Sequence, residues 1–410
     1  MQTIAKGGNM GRITVPQMGG LPRSADVVIV GGGVIGCATA FYATEAGFDT
    51  VVLERRDGLG TLTSSASAEC FRAQFDGPEN VNMMLESIAV FQDFAEVVRI
   101  PGYDIDLHQQ GYLFLSGADE GAKLLKKRVQ QQHGVGLTDV EFLDGDETRR
   151  RFPFVGPSVL AATFRSKDGW LSAHELTYGF AKGSSALFAL RTEATGIRLD
   201  ARGVAAVTTT RGEISTRCMV IAAGPFSGVV SSWAGVELPL AILRRQKAVL
   251  GNVPLVPRDA PMTIDADTGA HWRPEVGGAA LGWALPEEPG QPLEQVSTDW
   301  TFPAIALDGA ARLVPFWNQV VETLTRDNVF LSAGQYTCTP DHKPIIGPCS
   351  AVPGLYFNLG YSGHGIMASP GGARLLLDLV IDPDANVDNP FRYERFAEQD
   401  VSLCAERMVL

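Results

Sequence analysis

The chain is short of cysteine, of paired histidine and of positive charge, and each shortage excludes a class of function. Only six cysteines occur in 410 residues, at 37, 70, 218, 338, 349 and 404, with no C-x-x-C pair. That scatter offers neither a disulfide framework nor a thiolate metal site, and it suits free thiols in a reducing compartment. Six histidines, none spaced H-x-x-x-H, give no metal site either. With 34 Lys and Arg against 46 Asp and Glu, the net charge of −12 argues against binding nucleic acid. No membrane span is expected, because the most apolar stretch, 27–43, holds three consecutive glycines between Asp26 and Glu45. Residues 1–24 lack a continuous apolar segment, so they read as a flexible N-terminal arm without a signal peptide. The expected address is cytoplasmic. No internal repeat or low-complexity tract is present.

What is there begins at Asp26–Arg56. Asp26–Val30 is a Val/Ile run of the kind buried on both faces of a parallel sheet. Gly31, Gly33 and Gly36 follow with G-x-G-x-x-G spacing, then a helical apolar pattern, then a strand Thr50–Leu53 ending in Glu54. This order is the fingerprint of a dinucleotide-binding unit. Gly31 permits the tight turn, Gly33 lets a pyrophosphate approach the backbone, and Gly36 lets helix and strand pack closely. The free N–H groups at the helix start face the phosphates. Glu54 accepts from ribose hydroxyls and repels a 2′-phosphate, so NADP is not expected to bind.

At 410 residues the length suggests two domains. Residues 55–74 form a small, polar loop whose Thr63, Ser64 and Ser65 either meet phosphates and ribitol or are merely solvated. Asn80–Val98 has the apolar spacing of a packed amphipathic helix, stopped by Pro101 and Gly102. Gly111–Leu115 reads as a strand and Asp119–His133 as a basic helix with a solvated face. Arg191–Leu199, Val204–Thr209 and Cys218–Ala222 read as strands, the last running into the small turn Ala223-Gly224-Pro225, where an α/β sheet admits a ligand. Residues 240–327 change style, with alternating segments Gln246–Leu250 and Ala279–Trp283 and clustered aromatics, more often core than ligand box. Phe330–Ser332 and Leu355–Asn358 are further expected strands. A second glycine-rich loop, Gly360-Tyr361-Ser362-Gly363-His364-Gly365, leads to a helix with Ser369 as N-cap and Pro370 at its first position. Such a loop is again an anion site, suited to negative charge on a flavin's pyrimidine ring. His364 either adds to that or is a packed loop residue.

These motifs (DVVIVGGGVIG, LERR, DGWLSAHELTYGFAKG, VIAAGPFSG, RRQ, TPDHKPIIGP and GLYFNLGYSGHGIMASP) resemble the FAD-dependent D-amino-acid-oxidase superfamily, in its sarcosine oxidase and glycine oxidase branch, and most nearly its sarcosine oxidase β-subunit type. The resemblance implies an α/β plus α+β fold: a Rossmann-type, glutathione-reductase-like FAD-binding domain (25–105, 158–240, 328–390) and a discontinuous substrate domain on an antiparallel sheet (106–157, 241–327). It further implies that Gly31, Gly33, Val34, Ile35 and Gly36 hold the pyrophosphate, and Glu54 and Arg55 the adenosine side. Ser64, Ser65 and Ala66 would lie along phosphates and ribitol, Ala194, Ala223 and Gly224 beside the cofactor, and Gly360 to Ile366 (Tyr361, Ser362, Gly363, His364 and Gly365 included) at the pyrimidine edge.

The activity implied is oxidation of a C–N bond in a small amine or N-substituted, sarcosine-like amino acid to an imine, with oxygen or another electron acceptor. Arg72, His271, Tyr336 and His364 are the expected catalytic residues, with Trp272 beside them. The match is incomplete. Arg72 falls on the carboxylate-binding arginine of monomeric sarcosine oxidases, but its partner lysine falls on Met367, the active-site histidine near Ala284, and glycine oxidase's arginine on Tyr336. Arg72 therefore either binds substrate or forms a structural ion pair. The flavin-attaching cysteine falls on Gly334, so FAD should be bound non-covalently. Ala280 replaces the lysine that speeds reaction with oxygen, and no Lys or Arg lies between Pro274 and Phe302, so oxygen should not be a fast acceptor. Two alternatives stay open: flavin chemistry on a non-amino-acid substrate, and an FAD-holding subunit active only in a hetero-oligomer; a homo-oligomer is open as well.

Overall fold

The computed structural model describes residues 10–398 and 405–406. A seven-stranded sheet carries the dinucleotide fingerprint, in the order Arg12–Thr14, Leu187–Ala189, Thr50–Leu53, Val27–Val30, Cys218–Ile221, Leu355–Leu359, Ile345–Pro348. Every pair is parallel except the last. Val27–Val30 and Cys218–Ile221, at its centre, are apolar throughout because both faces are covered, as parallel sheets require. The helix Val34–Glu45 lies between this sheet and the helices Ala173–Gly183 and Gly365–Ile381, which explains why it is apolar all round rather than striped.

The second main sheet has eight strands, in the order Val329–Cys338, Ala241–Leu250, Gly278–Gly282, His271–Glu275, Met262–Asp265, Tyr112–Ser116, Ala161–Arg165, Glu141–Asp144. All neighbours are antiparallel except Met262–Asp265 against Tyr112–Ser116. Its covered face packs Trp272, Phe302 and Trp317 into one core, as expected of those aromatics, while Trp300 is 46% exposed. A three-stranded antiparallel meander spans 194–215. The architecture is the expected mixture of α/β and α+β.

Several local expectations are corrected. The arm is not loose as far as residue 24: Arg12–Thr14 pairs in parallel with Leu187–Ala189 at the sheet edge, while residues 1–9 lie outside the described residues. The eight-stranded sheet also takes in Ala161–Arg165 and Val329–Cys338, which were expected with the dinucleotide-binding segments. Short apolar strands fit either sheet, and only long-range pairing decides between them. Asn80–Val98 is two helices, Pro78–Gln92 and Phe94–Val97, broken at Asp93. The last long helix starts at Gly365, not after Ser369, and Pro370 lies inside it. Pro370 has no N–H for the carbonyl of Ile366, and the Ser369 hydroxyl donates to that carbonyl instead at 3.0 Å. The five described cysteines are free, and Cys404 lies outside the described residues.

Candidate active site

Four parallel strands end on one side of their sheet, and the residues just beyond them, Gly31, Glu54, Ala222 to Gly224 and Gly360, line one cavity. It holds ≈ 240 Å³ of space for water centres. Carboxyl ends of parallel strands are where open α/β sheets admit ligands. The three glycines do different work. Gly31 has φ +113, a conformation that side chains disfavour. A Cβ on Gly36 would come within 1.9 Å of the Gly31 carbonyl oxygen, so glycine there sets the approach of helix to strand. Gly33 is different: a Cβ would meet only Ser64 Oγ, at 3.5 Å, in the cavity wall.

Glu54 is held by two backbone donors, Gly32 N and Arg56 N, each 2.8 Å from a carboxylate oxygen. It lines the cavity. Ser64 Oγ accepts from Val34 N at 3.2 Å, placing a hydroxyl against the helix start. Val34, Ile35, Arg55 and Ala194 line the same cavity. Ser65 does not: its hydroxyl donates to Leu62 O at 2.9 Å, away from the wall. Ala66 lines a second cavity instead, against Gly334.

The second glycine loop closes the first cavity from the other side. Gly360, Tyr361, Ser362, Gly363, Gly365 and Ile366 all line it, and the helix Gly365–Ile381 points its first N–H groups there. His364 does not line it. Its ring lies against Phe75 and Tyr361, and its Nε2 is buried without a hydrogen-bond partner among the described residues. Burial, with Arg72 second, pulls its pKa down to about 3, so it is neutral and brings no positive charge to the loop.

Thr63 and Tyr336 line both cavities. The second is small, ≈ 30 Å³, room for about two water centres. His271 lines it, with Nδ1 2.9 Å from Gly269 O, and burial lowers its pKa. Trp272 does not, because alternation along His271–Glu275 turns it into the core. Burial pushes the Tyr336 hydroxyl up to about 12. Arg72 lies outside both linings. It is 3% exposed, its guanidinium stacks 4.0 Å over Phe75, and it donates to Gln74 O; burial pulls its pKa down, with Tyr112, Glu406, Asp168 and Asp76 opposing. The strand Gly278–Gly282 supplies no cation, as expected, but its neighbours do: Lys247 and Arg273 join Ala280 in the lining. Lys343 Nζ is occupied by Glu79 at 2.6 Å.

Sequence reasoning gave no role to Arg245, which it met only within the motif RRQ, and missed Lys247 and Arg273. The only signal was the alternation RRQK within an otherwise apolar strand, which places Arg245 and Lys247 on one face. It also missed Trp233, Phe226 and Thr337 in the first lining. Among the described residues no cluster could hold a metal ion, and no helix is long and apolar enough to cross a membrane.

A family model described as FAD dependent oxidoreductase matches residues 26–379. The chain is similar to "FAD-dependent oxidoreductase domain-containing protein 1" of Xenopus laevis, 28% identical over 433 residues, covering 92% of this chain and 84% of that protein. It is also similar to "Sarcosine dehydrogenase, mitochondrial" of Homo sapiens, 26% identical over 379 residues, covering 88% of this chain but only 40% of that protein. In fold it matches the crystal structure of L-proline dehydrogenase from P. horikoshii with a TM-score of 0.80 at 24% identity, covering 92% of this chain and 99% of that one. The first cavity suits the dinucleotide that the family description names. A side chain at Gly33 would project from the wall where phosphates would approach, and Glu54 offers acceptors and no donor where ribose hydroxyls would lie.

Proposed function

The chain belongs to the FAD dependent oxidoreductase family, and from that premise we propose that it oxidises the C–N bond of a small amine or N-substituted, sarcosine-like amino acid to an imine. FAD, held non-covalently, supplies the acceptor for the hydride equivalent that leaves the carbon beside nitrogen. Gly31, Gly33 and Ser64 would hold its pyrophosphate, Glu54 its adenosine ribose, and Gly360 to Ile366 its pyrimidine edge. The observation that carries the reading is the meeting, at Thr63 and Tyr336, of a larger cavity lined by the dinucleotide fingerprint and a small cation-lined one. A substrate in the second would touch the reacting end of a cofactor in the first. Tyr336 would keep the substrate's nitrogen-bearing carbon against the cofactor, and its buried, neutral ring would exclude water from the junction. The similarity to sarcosine dehydrogenase supports an N-methyl amino acid.

The bookkeeping of the reaction is simple. The amine loses two electrons and two protons, and water then adds to the imine. With N-methylglycine the products are formaldehyde and glycine, or glyoxylate and methylamine. Incubation of purified protein with N-methylglycine and an artificial electron acceptor tests this. One of those pairs should appear in step with acceptor reduction; acceptor reduction without either pair would count against C–N oxidation.

A further inference from the structure

We propose that Arg245 and Lys247, rather than Arg72, bind the substrate's carboxylate and so restrict the enzyme to amines that carry one. The inference rests on the C–N oxidation reading and names the charge that its substrate must bring.

Arg245 and Lys247 stand two residues apart on the strand Ala241–Leu250, so both point to the same face, and both line the second cavity. Arg244, the residue before Arg245, is outside the lining and pairs with Glu287 at 2.7 Å. The strand thus delivers two cations to the cavity and one to the far side.

Their partners are unusual. Among the described residues no carboxylate forms an ion pair with Arg245 or Lys247. Arg245 spends one nitrogen on two carbonyls, Arg244 O at 2.9 Å and Leu285 O at 3.3 Å, while its Nε is buried with no acceptor. Its guanidinium lies 5.8 Å from the centre of the Tyr336 ring, beside the junction of the two cavities. Lys247 Nζ donates to the Ser67 carbonyl at 2.5 Å, and burial pulls its pKa down, with Glu69 opposing. The third cation of the lining, Arg273, is fully engaged, by Glu69 at 3.2 Å and Glu275 at 2.9 Å.

Among the described residues both nearby carboxylates pair with Arg273, so three cations face two acids and the lining keeps a net positive charge that carbonyls alone meet, at Arg245 and Lys247. A guanidinium nitrogen buried without an acceptor is costly, and the cost is removed when an anion arrives. At ≈ 30 Å³ the cavity is small, and it favours a short substrate over a bulky one. Arg72 has no such opening: it lies outside the lining, and acids already surround it.

The test uses the FAD-loaded enzyme and two nearly isosteric probes, propionate and propionamide, followed by perturbation of the flavin's visible spectrum and by shift of the melting temperature. Propionate should bind and propionamide should not. Arg245→Gln and Lys247→Met should each weaken propionate about 10- to 100-fold, the range for losing one charge-assisted hydrogen bond. Arg245→Lys should recover part of that loss, and Arg244→Gln should match wild type. Should Arg245→Gln fail to retain FAD, Lys247→Met and the wild-type comparison of the two probes decide. Equal binding of both probes, no binding of propionate to wild type, or wild-type propionate affinity in both cavity variants would overturn the proposal. These readouts do not involve turnover, so failure of the C–N reading and failure of the clamp are separable. An enzyme that binds propionate at Arg245 yet is reduced by no amine loses the first and keeps the second.

Discussion

A Cβ built on Gly363 would come within 2.4 Å of the Tyr336 ring, and Gly363 itself has φ +97. The glycine loop therefore sets where the tyrosine stands at the junction of the two cavities. Gly363→Ala should strain the backbone by about 1–3 kcal/mol and push the ring off its seat. Flavin reduction should slow tenfold or more in stopped-flow while the fold, read by circular dichroism, persists. Tyr336→Phe should lose little of the packing. Because the hydroxyl's pKa is pushed up to about 12, its removal should leave the shape of the pH–rate profile unchanged below about pH 10.

Gly33 and Gly36 should separate binding from folding. A methyl at Gly33 has room in the protein but enters the cofactor's path, so Gly33→Ala should fold and lose FAD on gel filtration. A methyl at Gly36 runs into the Gly31 carbonyl, so Gly36→Ala should accumulate as insoluble protein. Equal solubility and equal flavin content in the two variants would show that neither position acts as described.

Flavin should leave with acid. Gly334 occupies the wall of the second cavity, and the nearest cysteine along the same strand, Cys338, lies about 13 Å further on at the strand's usual rise. After acid precipitation the yellow colour should remain in the supernatant; colour in the pellet would mean a covalent bond.

His364 should make the protein acid-sensitive. Burial holds its folded pKa down at about 3, against about 6.5 in the unfolded chain. The unfolded state therefore takes up a proton that the folded state refuses between those values. The resulting stability is complete above about pH 6.5 and is lost as pH falls, by up to about 2 kcal/mol near pH 5. Melting temperatures of wild type and His364→Gln should converge as pH is lowered from about 7 to about 5. Parallel curves would show that His364 is not buried neutral.

The fingerprint from Val27 to Glu54 was legible because each of its constraints is local: a buried strand, three glycines, an apolar helix and a terminal acid. The second glycine loop was legible for the same reason. The substrate side was not. Arg245 and Lys247 reach the cavity through the pairing of Ala241–Leu250 with Gly278–Gly282 and Val329–Cys338, which no local pattern encodes. The strand 329–338 was seen only in part, since Gln335, Tyr336 and Thr337 break its apolar pattern: Tyr336 and Thr337 face the cavity, and Gln335 is bonded to Gln291 and Leu293. Arg72 looked like a clamp by position along the chain, but the loop it sits on turns it onto Phe75.

Anaerobic titration of the oxidised flavin tests the central claim most directly. N-methylglycine, proline, glycine and their amides would be added in turn, with dithionite as the final reductant. The visible band should bleach with at least one of the carboxylated amines and not with the matching amide. A flavin that stays oxidised with every amine, yet bleaches with dithionite, would contradict the assignment of this protein to C–N oxidation.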